Sequence, residues 1–194
     1  MKIVIDKQKC IPFILSAVII AADQMSKAFV AKNWPYSWPG TFIKDLFGNG
    51  LIQFYHVRNK AIAFSLGQNI PENLRPVLFI ILPIIVLGFL VWYYFSSSDF
   101  RMSQRWAMAG IIGGGIGNII DRIFRPDGVV DFIDIKFFEF VFANGRWPTF
   151  NVADSSVVVC CILLFIFILS SPKEDNKNGL PASGIDNASD ESHE

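Results

Sequence analysis

With 194 residues, the chain has the length of a single domain. Its residues are 52% hydrophobic and only 18% charged, against roughly 25% charged in soluble domains. With zero formal net charge, nothing suggests a nucleic-acid surface, and three cysteines, Cys10, Cys160 and Cys161, exclude a disulfide framework.

Four apolar runs approach the length of about 20 residues that crosses a bilayer. The first covers residues 11–31 and follows Lys2, Lys7 and Lys9. Its early part, ending at Ala21-Ala22, has the outline of a cleavable signal peptide, yet Met25 to Ala31 carries the helix on past Asp23 and Lys27, which favours a retained span. Next comes a mixed segment, residues 42–68, in which Gly48-Asn49-Gly50 reads as a turn before the strand-forming run Leu51 to Val57. His56 in that run reads as a surface strand residue rather than a ligand. Runs two and three, residues 76–95 and 106–124, are joined by a short loop carrying Arg101 and Arg105. Residues 132–142 are aromatic with scattered charges and read as an interfacial element. The fourth run covers residues 151–170, and residues 172–194 read as a disordered acidic tail. The expected architecture is an all-α membrane protein of four transmembrane helices, residues 1–171, with a small extracytoplasmic β-element and an interfacial segment. An even number of spans puts both termini on one side. The density of Lys and Arg in the short segments assigns that side to the cytoplasm.

An ionisable residue within a span is costly and marks function by default. Asp23 and Lys27 lie four apart on one face of the first helix; Asn118, Asp121 and Arg122 share a face at the end of the third. Asp131 follows that helix, and Asp154 opens the fourth. Connectivity alone brings the four Asp to similar depth at one membrane face. Two carboxylates close together split their pKa values, giving one acid and one base, which suits peptide hydrolysis. Plainer roles exist for each: a structural ion pair for Asp23 and Lys27, a helix cap for Asn151 with Asp154 in the first turn, a turn for Asp131. Gly110, Gly113, Gly114 and Gly117 fit close helix packing. Intramembrane Asp and Lys also mark proton-coupled carriers, and a scaffold without catalysis is a further reading. Among peptidase chemistries, there is no His-Glu-x-x-His, no His in a span to serve a Ser or Cys nucleophile, and one His outside the tail, too few for a zinc site.

Five motifs in order give a more specific reading: Asp23-Gln24-x-x-Lys27; Asn59-Lys60-Ala61-Ile62-Ala63-Phe64-Ser65; the run Gly113 to Arg122; Gly128-Val129-Val130-Asp131-Phe132; and Phe150-Asn151-Val152-Ala153-Asp154. With them the chain resembles lipoprotein signal peptidase (signal peptidase II), a bacterial inner-membrane aspartic peptidase family, over about residues 11–170. The resemblance implies a catalytic pair of Asp131 and Asp154, supported by Asp23, Lys27, Asn59, Asn118, Asp121, Arg122 and Asn151. It implies prolipoprotein substrates with diacylglycerol on a Cys, cut on the N-terminal side of that Cys near the outer membrane face. It implies no metal and no organic cofactor, contact with membrane lipid, and a monomer. The chain departs from the family at Ala61 and Cys160, where Gly is usual.

Overall fold

The computed structural model describes residues 6–60, 71, 73–136 and 145–170. A short helix α1 (Lys7–Cys10) turns through Ile11-Pro12 into α2 (Phe13–Asn33). Two strands follow, β1 (Thr41–Asp45) and β2 (Ile52–Asn59). A π-helical turn, Val77–Ile81, leads into α3 (Leu82–Ser96). Pro83 accounts for that wide turn: it has no N–H to give the carbonyl four residues back, so the ladder opens and Leu82 N–H reaches Val77 O instead. Then come α4 (Met102–Phe124), β3 (Val129–Ile135) and α5 (Val152–Leu169). Four helical stretches, Lys7–Asn33, Val77–Ser96, Met102–Phe124 and Val152–Leu169, are long and apolar enough to cross a membrane. The chain is a multi-pass membrane protein, with four such helices among the described residues, as expected.

Helix α4 is the axis of the bundle. It holds most of the buried helical positions, because its glycines remove the side chains that would hold neighbours off. A Cβ on Gly113 would sit 2.7 Å from Ser16 Cα of α2, and one on Gly114 would sit 2.5 Å from the Ala153 carbonyl of α5. Cys160 Sγ fills the space beside Gly110, so the Cys that departs from the family pattern packs into the helix interface. Without a hydrophobic drive between helices in lipid, such close contact and a few polar links supply the cohesion; Ser16 Oγ donates to Ala109 O at 2.6 Å. The outer faces of α3 and α5 stay apolar and exposed, as at Ile85, Phe89, Ile162 and Phe165, as lipid contact requires.

At one end of the bundle β1, β2 and β3 form an antiparallel sheet in that order. The β1–β2 turn is built by Asp45, whose carboxylate accepts from the amides of Phe47, Gly48 and Gly50, with the two glycines at positive φ. Arg146 ties β3 to that turn, pairing with Asp134 at 2.6 Å and donating to Gly50 O at 3.0 Å. Val130 and Phe132 of β3 pack with Val30 of α2, and Trp34, Phe54 and Val152 close around them. The sheet is thereby fixed to the ends of α2 and α5.

Three expectations change. The β-element is not confined to residues 42–68, since its third strand comes from the connection between α4 and α5. Residues 132–135, expected as the start of an interfacial element, lie in that strand, and Asp131 is a strand residue rather than a turn residue; residues 137–144 and 61–70 fall outside the described residues, as does the tail from 171. His56 is on β2 as expected but is buried, at 1% exposure. Its Nδ1 lies 3.1 Å from Trp34 O, and its Nε2 accepts from Arg58 Nε at 3.0 Å. Burial lowers its basicity, so it is held as a neutral structural ring.

Candidate active site

All nine residues singled out in the sequence gather where the sheet meets the helix ends. The base of the site is an ion cluster. Lys27 Nζ lies 2.8 Å from Asp23 Oδ2 and 3.1 Å from Asp121 Oδ2, with all three side chains fully buried. The same ammonium donates to Asn118 Oδ1 at 3.0 Å, which uses its three donors. Two carboxylates around one ammonium would leave excess negative charge. That excess is met elsewhere: Arg125 Nε donates to Asp121 Oδ1 at 2.9 Å, and Gln24 Nε2 reaches both carboxylates. Asp23 Oδ1 accepts from the Ala153 amide at 2.9 Å. Ala153 lies in the first turn of α5, where unpaired amides and the positive end of the helix dipole favour an anion. Gly117 leaves the room this requires, since a Cβ there would meet Asp23 Oδ2 at 2.8 Å.

The second layer is built of amides. Asn151 caps α5: its Oδ1 accepts from the Asp154 amide at 3.0 Å, and Asp154 Oδ2 accepts from the Asn151 amide at 3.1 Å. This is a reciprocal capping box with Asp in the third position. The free end of the Asn151 amide points the other way, donating to Asp131 Oδ1 at 2.7 Å and to Asn118 Oδ1 at 3.1 Å. Asn118 Nδ2 in turn donates to Asp154 Oδ1 at 2.7 Å. Asn59, the last residue of β2, donates to Asp131 Oδ2 at 2.9 Å. Two side-chain amides, fully buried Asn151 and half-buried Asn118, therefore link the Asp131 carboxyl to that of Asp154.

The two carboxyls differ in surroundings. Asp131 is 3% exposed, whereas Asp154 is partly open. Burial, with the Asp154 charge beside it, raises the Asp131 carboxyl to about 7, against the pull of the Asn59 and Asn151 amides and the Lys27 charge. Such a group still holds its proton in a large share of molecules near pH 7 and can act as an acid. Arg122 stands on the other side, 5.5 Å over the Phe79 ring and within electrostatic reach of Asp131, Asp154 and Asp121. Gln24, the cap of Asp121 by Arg125 and the amides of Val130 and Ala153 carry weight that sequence reasoning had not given them. Of these, Gln24 stood in the first motif without an assigned role, and Arg125 had a readable signal, four residues after Asp121 on the same helix face.

The capping and supporting roles of Asn151 are separable. Asn151→Ala is expected to lose both, lowering stability by about 1 kcal/mol for the cap and slowing turnover. Asn151→Ser keeps an oxygen for the Asp154 amide but cannot reach Asp131. It should hold the thermal midpoint near wild type while turnover falls as far as in the Ala variant. A serine variant with wild-type turnover would remove Asn151 from any part in the chemistry.

Comparison with known proteins identifies the family and the fold. The family model for signal peptidase (SPase) II matches residues 15–170. A lipoprotein signal peptidase of Treponema pallidum (strain Nichols) is 41% identical over 170 residues, covering 88% of this chain and 89% of that protein. One from Borrelia duttonii (strain Ly) is 46% identical over 156 residues, covering 80% and 88%. Among solved structures, a bacterial membrane enzyme determined by the in meso method at 2.3 Å resolution superposes with a TM-score of 0.69 at 24% identity, covering 88% of this chain and 94% of that one. A second bacterial membrane enzyme, at 1.9 Å resolution, gives 0.67 at 25% identity. With most of its length matched by the family model and by relatives above 40% identity, the chain belongs to the signal peptidase II family.

Proposed function

We propose that this family member, a peptidase that removes signal peptides from prolipoproteins, does so as an aspartic endopeptidase working through Asp131 and Asp154. The observation that carries this reading is the pair of carboxyls joined through the amides of Asn151 and Asn118, one buried and one partly open, at the membrane edge of the bundle. Asp154, ionised, takes a proton from a water molecule as its oxygen attacks the scissile carbonyl carbon. Asp131 gives its proton to the carbonyl oxygen, so the tetrahedral intermediate is uncharged. On collapse, Asp154 passes its proton to the leaving nitrogen and Asp131 recovers the proton from the hydroxyl that becomes the new carboxyl. Lys27, Asp23 and Asp121 hold Asn118 and the start of α5 in place, and Asn59 holds Asp131. No cofactor enters this scheme.

The substrate is a prolipoprotein carrying diacylglycerol on its Cys, cut on the N-terminal side of that Cys. A lipid-anchored chain diffuses in the membrane plane, and a site at the helix ends meets it without lifting it from the bilayer. The enzyme sits in the bacterial inner membrane as a monomer, with both termini in the cytoplasm and the site near the extracytoplasmic face. Purified protein in detergent should release the signal peptide from a diacylglyceryl-modified prolipoprotein and leave the unmodified precursor nearly untouched, with mass spectrometry placing the cut before the lipidated Cys. Equal cleavage of both precursors would sink the lipid requirement. The rate should also fall as pH rises through about 7, where Asp131 loses its proton; a rate that climbs steadily from pH 6 to 9 would contradict Asp131 as the acid.

A further inference from the structure

We propose that a basic cleft beside the two carboxylates binds the phosphate headgroup of an anionic membrane phospholipid. The cleft, of about 270 Å³, lies between the start of the second span and the end of the third. Lys60, Arg75, Arg122 and Arg125 line it together with Phe79 and Ile80, and no Asp or Glu does so among the described residues. Asn59 and Arg122 belong both to this cleft and to the carboxylate site.

Two of its cations have donors to spare. Arg122 is half-buried and makes no hydrogen bond among the described residues; its guanidinium rests on the Phe79 ring. Arg125 commits Nε to Asp121, and its two terminal nitrogens make no hydrogen bond among the described residues. A guanidinium carries five donors in a planar fork that matches a phosphate. Four cations lining one small cleft favour an anion there.

The rest of the lining selects the source of that anion. Phe79 and Ile80 open the second span, so the cleft is basic toward the helix ends and apolar toward the bilayer. A phospholipid matches both parts, with phosphate on the cations and the first methylenes against the partly exposed Ile80. A free phosphate matches only one. Basic pockets between spanning helices recognise headgroups on the same grounds. The proposed substrate, with diacylglycerol on its Cys, brings no phosphate, so the cleft takes a second lipid. The binding does not depend on the peptidase reading.

The full chain, reconstituted in phosphatidylcholine nanodiscs with increasing fractions of phosphatidylglycerol, provides the test. The thermal midpoint should rise with the phosphatidylglycerol fraction, and native mass spectrometry should find phosphatidylglycerol retained over phosphatidylcholine. The variant Lys60→Gln/Arg75→Gln, read against its own midpoint in pure phosphatidylcholine, should bind phosphatidylglycerol about tenfold more weakly than wild type; Lys60→Arg/Arg75→Lys should keep the binding. Equal retention of the two lipids, or undiminished binding by the neutral variant, would overturn the proposal. Stabilisation by inorganic phosphate alone to the same extent would reassign the cleft to a free anion and overturn it as well. Should the neutral variant fail to fold, the lipid retained by wild type decides.

Discussion

Asp131→Asn and Asp154→Asn are each expected to lower the rate of signal-peptide removal about 10³-fold or more while leaving the bundle folded. Both substitutions keep size and shape. At position 154 the side-chain oxygen can still accept from the Asn151 amide, so the cap of α5 persists in large part. At position 131 the wild-type carboxyl is raised to about 7 by burial and by Asp154, and this fixes the sign of the stability change. Below about pH 4 the group is protonated in both folded and unfolded chains and contributes nothing to the difference. Between about 4 and 7 the unfolded chain releases a proton that the folded one retains, so wild-type stability falls as pH rises through that window. Asp131→Asn lacks the penalty and should gain on wild type from pH 4 to pH 7 as its rate collapses. Thermal unfolding across pH, beside single-turnover rates, reads both quantities. A variant that loses rate only in step with its folded fraction would make Asp131 structural.

Lys27→Met should be the most damaging single change to the fold. The ammonium is fully buried between Asp23 and Asp121 and also holds Asn118. Methionine fills a similar volume but leaves two carboxylates in a low-dielectric interior, with Arg125 and Gln24 as their only remaining side-chain partners among the described residues. Removing one member of a buried ion pair costs about 3–5 kcal/mol, a large part of the stability of a domain this size. The second variant Lys27→Met/Asp121→Asn removes one of the stranded charges and should recover part of the lost thermal midpoint without recovering the rate. If Lys27→Met unfolds at the wild-type midpoint, the cluster is not what holds α2, α4 and α5 together at this end.

Much of this arrangement was legible in the sequence because lipid makes polar residues conspicuous. In an apolar helix, Asp23 and Lys27 or Asn118, Asp121 and Arg122 stand out, and helical spacing assigns them to one face. The single connection between the third and fourth spans then brings Asp131 and Asp154 to the same end. The strand Val129–Ile135 was not legible, because its partner β2 lies some seventy residues earlier and its β-branched residues are interleaved with charge. A seven-residue strand takes its identity from that pairing rather than from local preference. His56 looked exposed for a related reason: its burial comes from the Trp34 carbonyl and the Tyr36 ring, contacts that exist only once the hairpin folds back on the end of α2. Asn151 read as a helix cap, and it is one. The sequence offered capping and site support as alternatives, whereas the geometry uses one end of the amide for each.

The central claim is that Asp131 and Asp154 act as one unit, and single-turnover cleavage by Asp131→Asn/Asp154→Asn beside the two single variants tests it most directly. Groups that act together are lost together, so the double variant should be no slower than the slower single one. Losses that multiply, or a single variant that keeps near-wild-type cleavage, would contradict a shared acid–base pair.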